Sequence, residues 1–562
     1  MEVKLPIYPG NKANIVGNIE VKVGDEVTEG NLLTNIETGK GSRDLKAKTS
    51  GIIKSIHIAA GDEVHAGDLL FVIEDASVDT KQEQIIVNKT EVPVSELDIT
   101  SDLDTDLAII GGGPGGYVTA IYAAKKGLDV TLIEEADLGG TCLNFGCIPT
   151  KALIKVAHTY KNIKEADSLG INVAGEVSFD FEKVIEYKDG IVSSLVDGIG
   201  YLLEKNNIKL VREHASFIDN YKIKVADHTI SAKNIIIATG SKLTKLEVPG
   251  ANLSKVQTAK EALIDPDYPD AITIIGGGVI GLEFAFMYRE FGAEVNILTH
   301  RDQILRGTDR DAVKFIEEKA NSLGINIYYN SPINDIREAT NGKLITNFSH
   351  AGIDKAVVSD KVLMTVGTPM NIDGLDLDKT DVALNENKTG IAVNDYMQTS
   401  VENIYAIGDV NKIYQLAHVA SHQGIIAVDH ILDNEKAFDI LTVPKVIYTH
   451  PEIASVGYTE DELSASHIDY ESQTMDFAAI GKALIDNNGE GFIKVHMDKA
   501  SHKILGALIV GPDANNLISD FALAITKGLT IDDIADTIYA HPTTSEINHE
   551  IAMKLLDLSI HE

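Results

Sequence analysis

The sequence predicts a multidomain chain: a small all-β sandwich at the N-terminus, then two α/β nucleotide-binding domains. Three observations carry this. The segment GDEVTEGNLLTNIE (Gly24 to Glu37) returns as GDEVHAGDLLFVIE (Gly61 to Glu74), shifted by 37. A GxGxxG pattern occurs twice, each time between an apolar strand and a helix, with a displacement of 165. The length of 562 residues leaves room for about three to five domains.

The repeat defines the first domain, residues 1–75. Its short apolar runs, separated by Gly-Asp turns, read as small strands, and two such halves pack as a flattened sandwich with quasi-twofold symmetry. Between the halves lies ETGKGSRD. Gly39 and Gly41 flank Lys40, which sets the lysine at a tight, exposed hairpin tip. This layout resembles the lipoyl/biotinyl carrier domains, in which the turn lysine carries the cofactor. The resemblance implies a lipoyl group on Lys40. Gly39 and Gly41 stand where lipoyl domains commonly have Asp and Ala, and biotin carriers commonly place Met on both sides.

Residues 76–104 lack glycine, are acidic and show no clear period, so they read as an extended linker. At up to about 3.3 Å per residue, these 29 residues span many tens of ångströms, the reach a tethered carrier needs.

The first fingerprint follows. In TDLAIIGGGPGGYVTAIYAAKKGLDVTLIEE, Gly111 permits a tight turn, Gly113 lets backbone approach a pyrophosphate, and Gly116 lets helix and strand pack closely. The helix N-terminus faces the phosphates. Glu134 lies 18 residues past Gly116, where a carboxylate accepts bonds from ribose hydroxyls. The second copy, AITIIGGGVIGLEFAFMYREFGAEVNILTHR, has Gly276, Gly278 and Gly281. Both units are therefore Rossmann-like, and two dinucleotide sites in one chain point to electron transfer between nucleotides. The position matching Glu134 is Thr299, followed by His300 and Arg301. Without an acid there, the second site stays open between NAD and NADP, and Gly281 favours NAD mildly.

The only cysteines, Cys142 and Cys147, sit in GGTCLNFGCIPTKALIKV. Pro149 suits a helix start, so Cys147 lies near a helix N-terminus that favours a thiolate. The pair reads as a redox disulfide, as two buried thiols or as half a zinc site. No other Cys and no nearby His cluster completes a zinc set, and the two nucleotide sites favour redox.

GGTCLNFGCIPTK resembles the active-site signature of the pyridine nucleotide–disulfide oxidoreductases, and the resemblance extends from about Thr105 to the C-terminus. It implies FAD in the first site and the nicotinamide nucleotide in the second. By this resemblance residues 105–245, completed by about 368–437, bind FAD, 246–367 bind NAD(P), and 438–562 form an α+β dimerisation domain. Gly140, Thr141, Gly240, Asp409 in NIYAIGDV and Ala417 join the FAD contacts. Lys151 matches the lysine near the flavin's reactive end, and Glu283 its ion-pair partner. Gly367 begins GTPMN, which departs from the usual Gly-Arg-x-Pro-Asn. HPTTSE resembles the family's C-terminal signature, with His541 as acid–base and Glu546 as its orienter across a dimer interface. Tyr539 replaces a frequent His. His418 and His422 receive no chemistry.

The fused carrier turns this resemblance toward the dihydrolipoyl-oxidising members. The implied function is flavin-dependent oxidation of protein-bound dihydrolipoyl groups by NAD⁺ through Cys142 and Cys147. The implied partners are a second copy of the chain and a lipoyl-bearing acyltransferase, or another lipoyl protein, of a 2-oxoacid, acetoin or glycine-cleavage system. Two alternatives stay open: an NADPH-dependent disulfide reductase, and a chain that is chiefly a lipoyl carrier or assembly component. The net charge of −35 opposes nucleic acid and anionic membranes as partners, and no run of about 18 apolar residues appears. No secretory signal is visible, and two clustered cysteines fit a reducing compartment, so the expected location is the cytoplasm.

Overall fold

The computed structural model describes residues 2–5, 14–28, 30–38, 41–65, 68–74 and 101–561, which fold as two units, Met1–Ile86 and Val87–Glu562. Lys40 and most of the expected linker lie outside the described residues.

In the N-terminal unit the 37-residue repeat is a repeat of strands. Asn14–Ile19, Glu26–Val27 and Leu32–Thr38 return as Gly51–Ile56, Glu63–Val64 and Leu69–Glu74. The strands form two four-stranded antiparallel sheets, and each sheet takes strands from both halves. Gly24 and Gly61 open the equivalent turns at the same left-handed φ of 95°. The faces share one core of Leu33, Ile36, Ile53, Leu70, Phe71 and Ile73. Strands Leu32–Thr38 and Gly41–Lys46 pair as far as Thr38 opposite Gly41.

The larger unit opens with strand Leu103–Ile110, which starts before the expected Thr105 because Leu103 and Asp104 pair with Ile230 and Ser231. It is central in a seven-stranded sheet, parallel to Val130–Ile133, Lys209–Val211 and His228–Ile237, with the antiparallel strands Lys222–Val225 and Ala215–Asp219 toward one edge. Its residues 107–110 are buried on both faces, so the segment reads as a continuous apolar run rather than an alternating one. Ile404–Ala406 returns to pair with Ile235–Ile237, after the whole second nucleotide-binding domain has intervened. That second domain is a five-stranded parallel sheet in the order Val256–Thr258, Lys361–Met364, Ala271–Ile275, Glu294–Leu298, Asn326–Tyr328. The C-terminal domain is α+β as expected: a five-stranded antiparallel sheet covered by helices Ala514–Lys527 and Glu546–Leu555.

One hydrophobic core joins the three domains of this unit. It contains Leu153, Ile154 and Ala157 of helix Cys147–Lys164, Leu282 and Phe286 of helix Val279–Phe291, and Ile447, Ile453 and Phe492 of the C-terminal sheet. The helix that begins with Cys147 is thus clamped between its neighbours. Among the described residues no helix is long and apolar enough to cross a membrane.

Candidate active site

Each fingerprint folds as its glycines require. A Cβ on Gly116 would fall 1.7 Å from the Gly111 carbonyl oxygen, and one on Gly281 would fall 2.3 Å from that of Gly276. Gly111 and Gly276 hold left-handed φ angles of 108° and 124° and press on the Ala238 and Thr365 carbonyls. Gly113 and Gly278, at the starts of helices Pro114–Lys125 and Val279–Phe291, face open space instead. The nearest atom to a Cβ on Gly113 is the Gly140 Cα at 3.8 Å, and nothing lies within 4 Å of one on Gly278. Close-packed first and third glycines with an open second one form a cradle that fits a pyrophosphate.

Glu134 ends strand Val130–Ile133 with its carboxylate turned back to the loop. Oε2 accepts from the Gly112 N–H at 2.6 Å and Oε1 from the Ala136 N–H at 2.7 Å. Burial pushes its pKa up against those two bonds. At the second site Thr299 takes the matching place, since a Cβ on Gly277 would stand 3.4 Å from the Thr299 Cβ. Thr299 is buried and its Oγ1 accepts from the Arg301 N–H, whereas His300 and Arg301 are exposed.

The other first-site residues converge from distant segments. Gly240 turns with φ of 70°, and its carbonyl accepts from the Asn371 N–H at 2.9 Å. Ser241 donates to Asp409 Oδ2 at 2.6 Å, and burial raises the Asp409 pKa. Ala417 begins helix Ala417–Ile431, which offers free N–H groups at its start. Gly140 has φ of 56°, and a Cβ there would meet the Gly113 Cα at 2.8 Å, so this position also needs glycine. Thr141 is exposed beside it. An open glycine loop, the Glu134 carboxylate, a polar Asp409 and two helix N-termini suit a dinucleotide. Gly367, with φ of 122°, lies in the loop after strand Lys361–Met364 on the second-domain side.

Cys142 sits in the short helix Gly140–Phe145 and Cys147 is the first residue of helix Cys147–Lys164. A Cβ on Gly146 would stand 3.0 Å from the Thr141 carbonyl, so the turn between the cysteines is tight. Both stand as thiols, the reduced half of a disulfide–dithiol couple. Their acidities diverge. The hydrogen bond from Cys142 and the charge of Lys151 lower the Cys147 pKa against burial, while that bond and burial raise Cys142. Lys151 lies one turn along from Cys147. Its Nζ is 2.7 Å from Glu283 Oε2 and 4.6 Å from the Tyr448 ring centroid. Glu283 is buried, and its Oε1 accepts from the Tyr448 N–H at 3.1 Å.

His541 is exposed. Its Nδ1 is 2.8 Å from Glu546 Oε1, and Glu546 Oε2 accepts from the Thr543 N–H at 2.9 Å. Burial opposes, but the Thr543 N–H and His541 together lower the Glu546 pKa. The hydrogen bonds of this pair all stay within residues 541–546.

Sequence reasoning missed Ser241, Tyr448 and Thr543. Ser241 follows Gly240 directly and Thr543 lies inside HPTTSE, so both had a local signal. Tyr448 had none.

The family model for pyridine nucleotide-disulphide oxidoreductases matches residues 105–424, and the model for that family's dimerisation domain matches 443–552. The chain belongs to the pyridine nucleotide-disulphide oxidoreductases. A third model, described as biotin-requiring enzyme and covering biotinyl and lipoyl domains, matches residues 3–73. Relatives of this family member include the dihydrolipoyl dehydrogenase of Bacillus subtilis, 40% identical over 465 residues, covering 82% of this chain and 98% of the relative. That of Geobacillus stearothermophilus is 38% identical over 464 residues, covering 82% and 98%. Among solved structures, LpdA from Mycobacterium tuberculosis superposes with a TM-score of 0.75 at 24% identity, covering 80% of this chain and 99% of its own, a likeness of fold. The HOCl-induced flavoprotein disulfide reductase RclA from Escherichia coli gives 0.70 at 29% identity, covering 81% and 99%. Membership in this oxidoreductase family implies a flavin and a nicotinamide nucleotide, and the N-terminal match implies a lipoyl-type carrier.

Proposed function

We propose that this chain oxidises protein-bound dihydrolipoyl groups with NAD⁺, as the dihydrolipoyl dehydrogenase component of a lipoyl-dependent complex. The observation that carries the reading is the pair of cysteines flanking a tight turn, one turn from the Lys151–Glu283 couple, in a chain that also bears its own carrier domain. A tethered dihydrolipoyl group reaches a high effective concentration beside such a pair. Relatives of 40% and 38% identity with that activity support it.

In the oxidised enzyme Cys142 and Cys147 share a disulfide. His541, oriented by Glu546, takes the proton from one substrate thiol. The resulting thiolate attacks Cys142 Sγ, and the disulfide breaks to leave Cys147 as thiolate. The second substrate thiol attacks the mixed disulfide, closes the lipoyl ring and releases Cys142. The hydrogen bond from Cys142 and the cation of Lys151 stabilise the Cys147 thiolate. Glu283 fixes Lys151, and Tyr448 fixes Glu283. Gly111, Gly113, Gly116, Glu134, Gly140, Thr141, Gly240, Asp409 and Ala417 would hold FAD, whose chemistry when bound would be to relay the electron pair from the cysteines to NAD⁺. Gly276, Gly278, Gly281, Thr299 and Gly367 receive that nucleotide. The match of residues 443–552 to the family's dimerisation domain supports a homodimer in which His541 serves the cysteines of a second copy. The lipoyl group sits on Lys40.

Anaerobic titration of the purified flavoprotein with dihydrolipoamide, then with NAD⁺ or NADP⁺ in separate samples, tests this. A long-wavelength thiolate-to-flavin band, cleared by NAD⁺, is expected. The second reading, an NADPH-dependent disulfide reductase, draws on Thr299 with exposed His300 and Arg301. A spectrum that answers NADPH but not dihydrolipoamide would establish it instead. Removing residues 1–100 tests the carrier-only reading: free dihydrolipoamide is expected still to be oxidised at the full rate, and loss of that activity would count against the enzyme reading.

A further inference from the structure

Helices Cys147–Lys164 and Val279–Phe291 are joined by two rungs of one ladder. Lys151 meets Glu283, and seven residues further along each helix His158 meets Glu290. Seven residues are two turns, about 10.5 Å, so both rungs lie on one seam. The first rung belongs to the redox centre. The second has no part in that chemistry, yet it is the more unusual. Glu290 has a side chain only 3% exposed, and with Glu283 it is one of two buried acids in a helix whose other buried residues are largely apolar. Its Oε2 contacts His158 Nδ1, while its Oε1 is buried without a hydrogen-bond partner. An unpaired buried carboxylate oxygen is costly, and structures that keep one commonly reserve it for an ion or a proton. His450 completes the group. It lies between strands Lys445–Ile447 and Glu452–Gly457, and its ring centroid is 4.5 Å from that of His158.

One ligand atom from each of His158, Glu290 and His450 lies within 4.8 Å of the others. At the centre of a triangle of that size an ion sits at most about 2.8 Å from each corner, so contractions of about 0.7 Å bring all three to the 2.0–2.2 Å of zinc ligation. Two imidazoles and one carboxylate form a recognised borderline donor set with room for a fourth ligand. Space for it lies on the His158 side, where a pocket of about 200 Å³ lined by Lys151, Lys155, His158, Tyr448, Thr449 and Glu452 can admit water. Lys161 and Lys319 add positive charge nearby, but each is paired with its own carboxylate, Glu165 and Glu490.

We propose that His158, Glu290 and His450 bind one zinc-class divalent cation. The ion would tie the cysteine helix, the second-fingerprint helix and the C-terminal sheet at a single point, two turns from the Lys151–Glu283 couple. Its occupancy would set how rigidly the redox helix is clamped.

The test uses the full-length, chelator-treated, flavin-loaded protein in its oxidised state, so that Cys142 and Cys147 are not available as thiolates. Zn²⁺ is titrated and the bound metal measured by equilibrium dialysis. One equivalent per chain is expected for the wild type. Glu290→Gln, which keeps the side-chain volume, is expected to raise the dissociation constant by about a hundredfold. Binding by Glu290→Gln within about twofold of wild type would overturn the proposal, as would a wild type that takes up less than about a tenth of an equivalent. X-ray absorption at the zinc edge of the wild type gives a reading independent of any substitution. Imidazole nitrogen and carboxylate oxygen at about 2.0–2.2 Å are expected, and a sulfur shell at about 2.3 Å would assign the metal elsewhere and overturn the site.

Discussion

Substituting alanine at two glycines three residues apart should separate folding from flavin binding. At Gly116 the new Cβ would stand 1.7 Å from the Gly111 carbonyl oxygen and 2.8 Å from its carbon. Both neighbours are backbone, so no rotamer relieves the overlap, and strand and helix must part by about 1.3 Å to restore a 3 Å contact. Overpacking of this kind costs about 1–3 kcal/mol and here falls at the top of the range. For a domain of this size, about 3 kcal/mol lowers Tm by roughly 6–12 °C. At Gly113 the nearest atom is 3.8 Å away and the backbone φ is −68°, which any residue adopts. Gly113→Ala therefore leaves the flavin-free protein as stable as wild type, or more stable by about 0.4–1 kcal/mol through the unfolded state. Its methyl group occupies the space the pyrophosphate needs, so FAD affinity falls by more than about tenfold, equal to about 1.4 kcal/mol. The assay is the visible flavin-to-protein absorbance ratio, paired with melting of the flavin-free proteins by circular dichroism. A Gly113→Ala protein with full flavin, or a Gly116→Ala protein melting within about 2 °C of wild type, would refute the reasoning.

Lys151→Met leaves the hydrogen bond from Cys142, the larger influence, in place and removes the cation that also lowers the Cys147 pKa. A lowered pKa means thiolate persists to lower pH, so losing the cation should move the midpoint of iodoacetamide alkylation of the reduced protein up by about one pH unit; an unchanged midpoint would count against it. Mixing the inactive Cys142→Ser and His541→Gln chains in equal amounts should restore about a quarter of wild-type activity if the site spans two subunits. Half the dimers are then mixed and each has one intact site of two, whereas a site within one chain predicts none. Thr299→Glu should shift the nucleotide preference toward NADH by at least about tenfold in the ratio of kcat/KM, through repulsion of a 2′-phosphate. A ratio that does not move would show that Thr299 does not read the ribose.

Much of this architecture was legible because it repeats. The 37-residue shift maps strand onto strand, and the 165-residue shift maps Gly112 facing Glu134 onto Gly277 facing Thr299. Such features are local, with their physical cause within a few residues of the signal. Ile404–Ala406 is harder, because three apolar residues carry no period and owe their place to a partner strand 169 residues earlier. The helix ladder is invisible for the same reason. Lys151 and His158 show a seven-residue spacing, and so do Glu283 and Glu290, but nothing in either segment says that the two faces meet across 132 residues. The two cysteines were legible as a pair from their shared motif, since the five-residue offset keeps them within one turn of chain.

The late return of Ile404–Ala406 also shapes how the chain is made. During synthesis the strand His228–Ile237 emerges with the backbone beside Ile235, Ile236 and Ile237 unmatched on one side. About 170 further residues must be added before its neighbour is available. At about 5–20 residues per second, that interval is roughly 8–34 s. The intervening domain has its own parallel sheet and can fold in that time. The first sheet meanwhile exposes an apolar edge suited to pairing with another nascent chain. A ribosome stalled before Ile404 would release a polypeptide prone to aggregate, so yield in the cell should depend on translation speed and on chaperones that shield this edge.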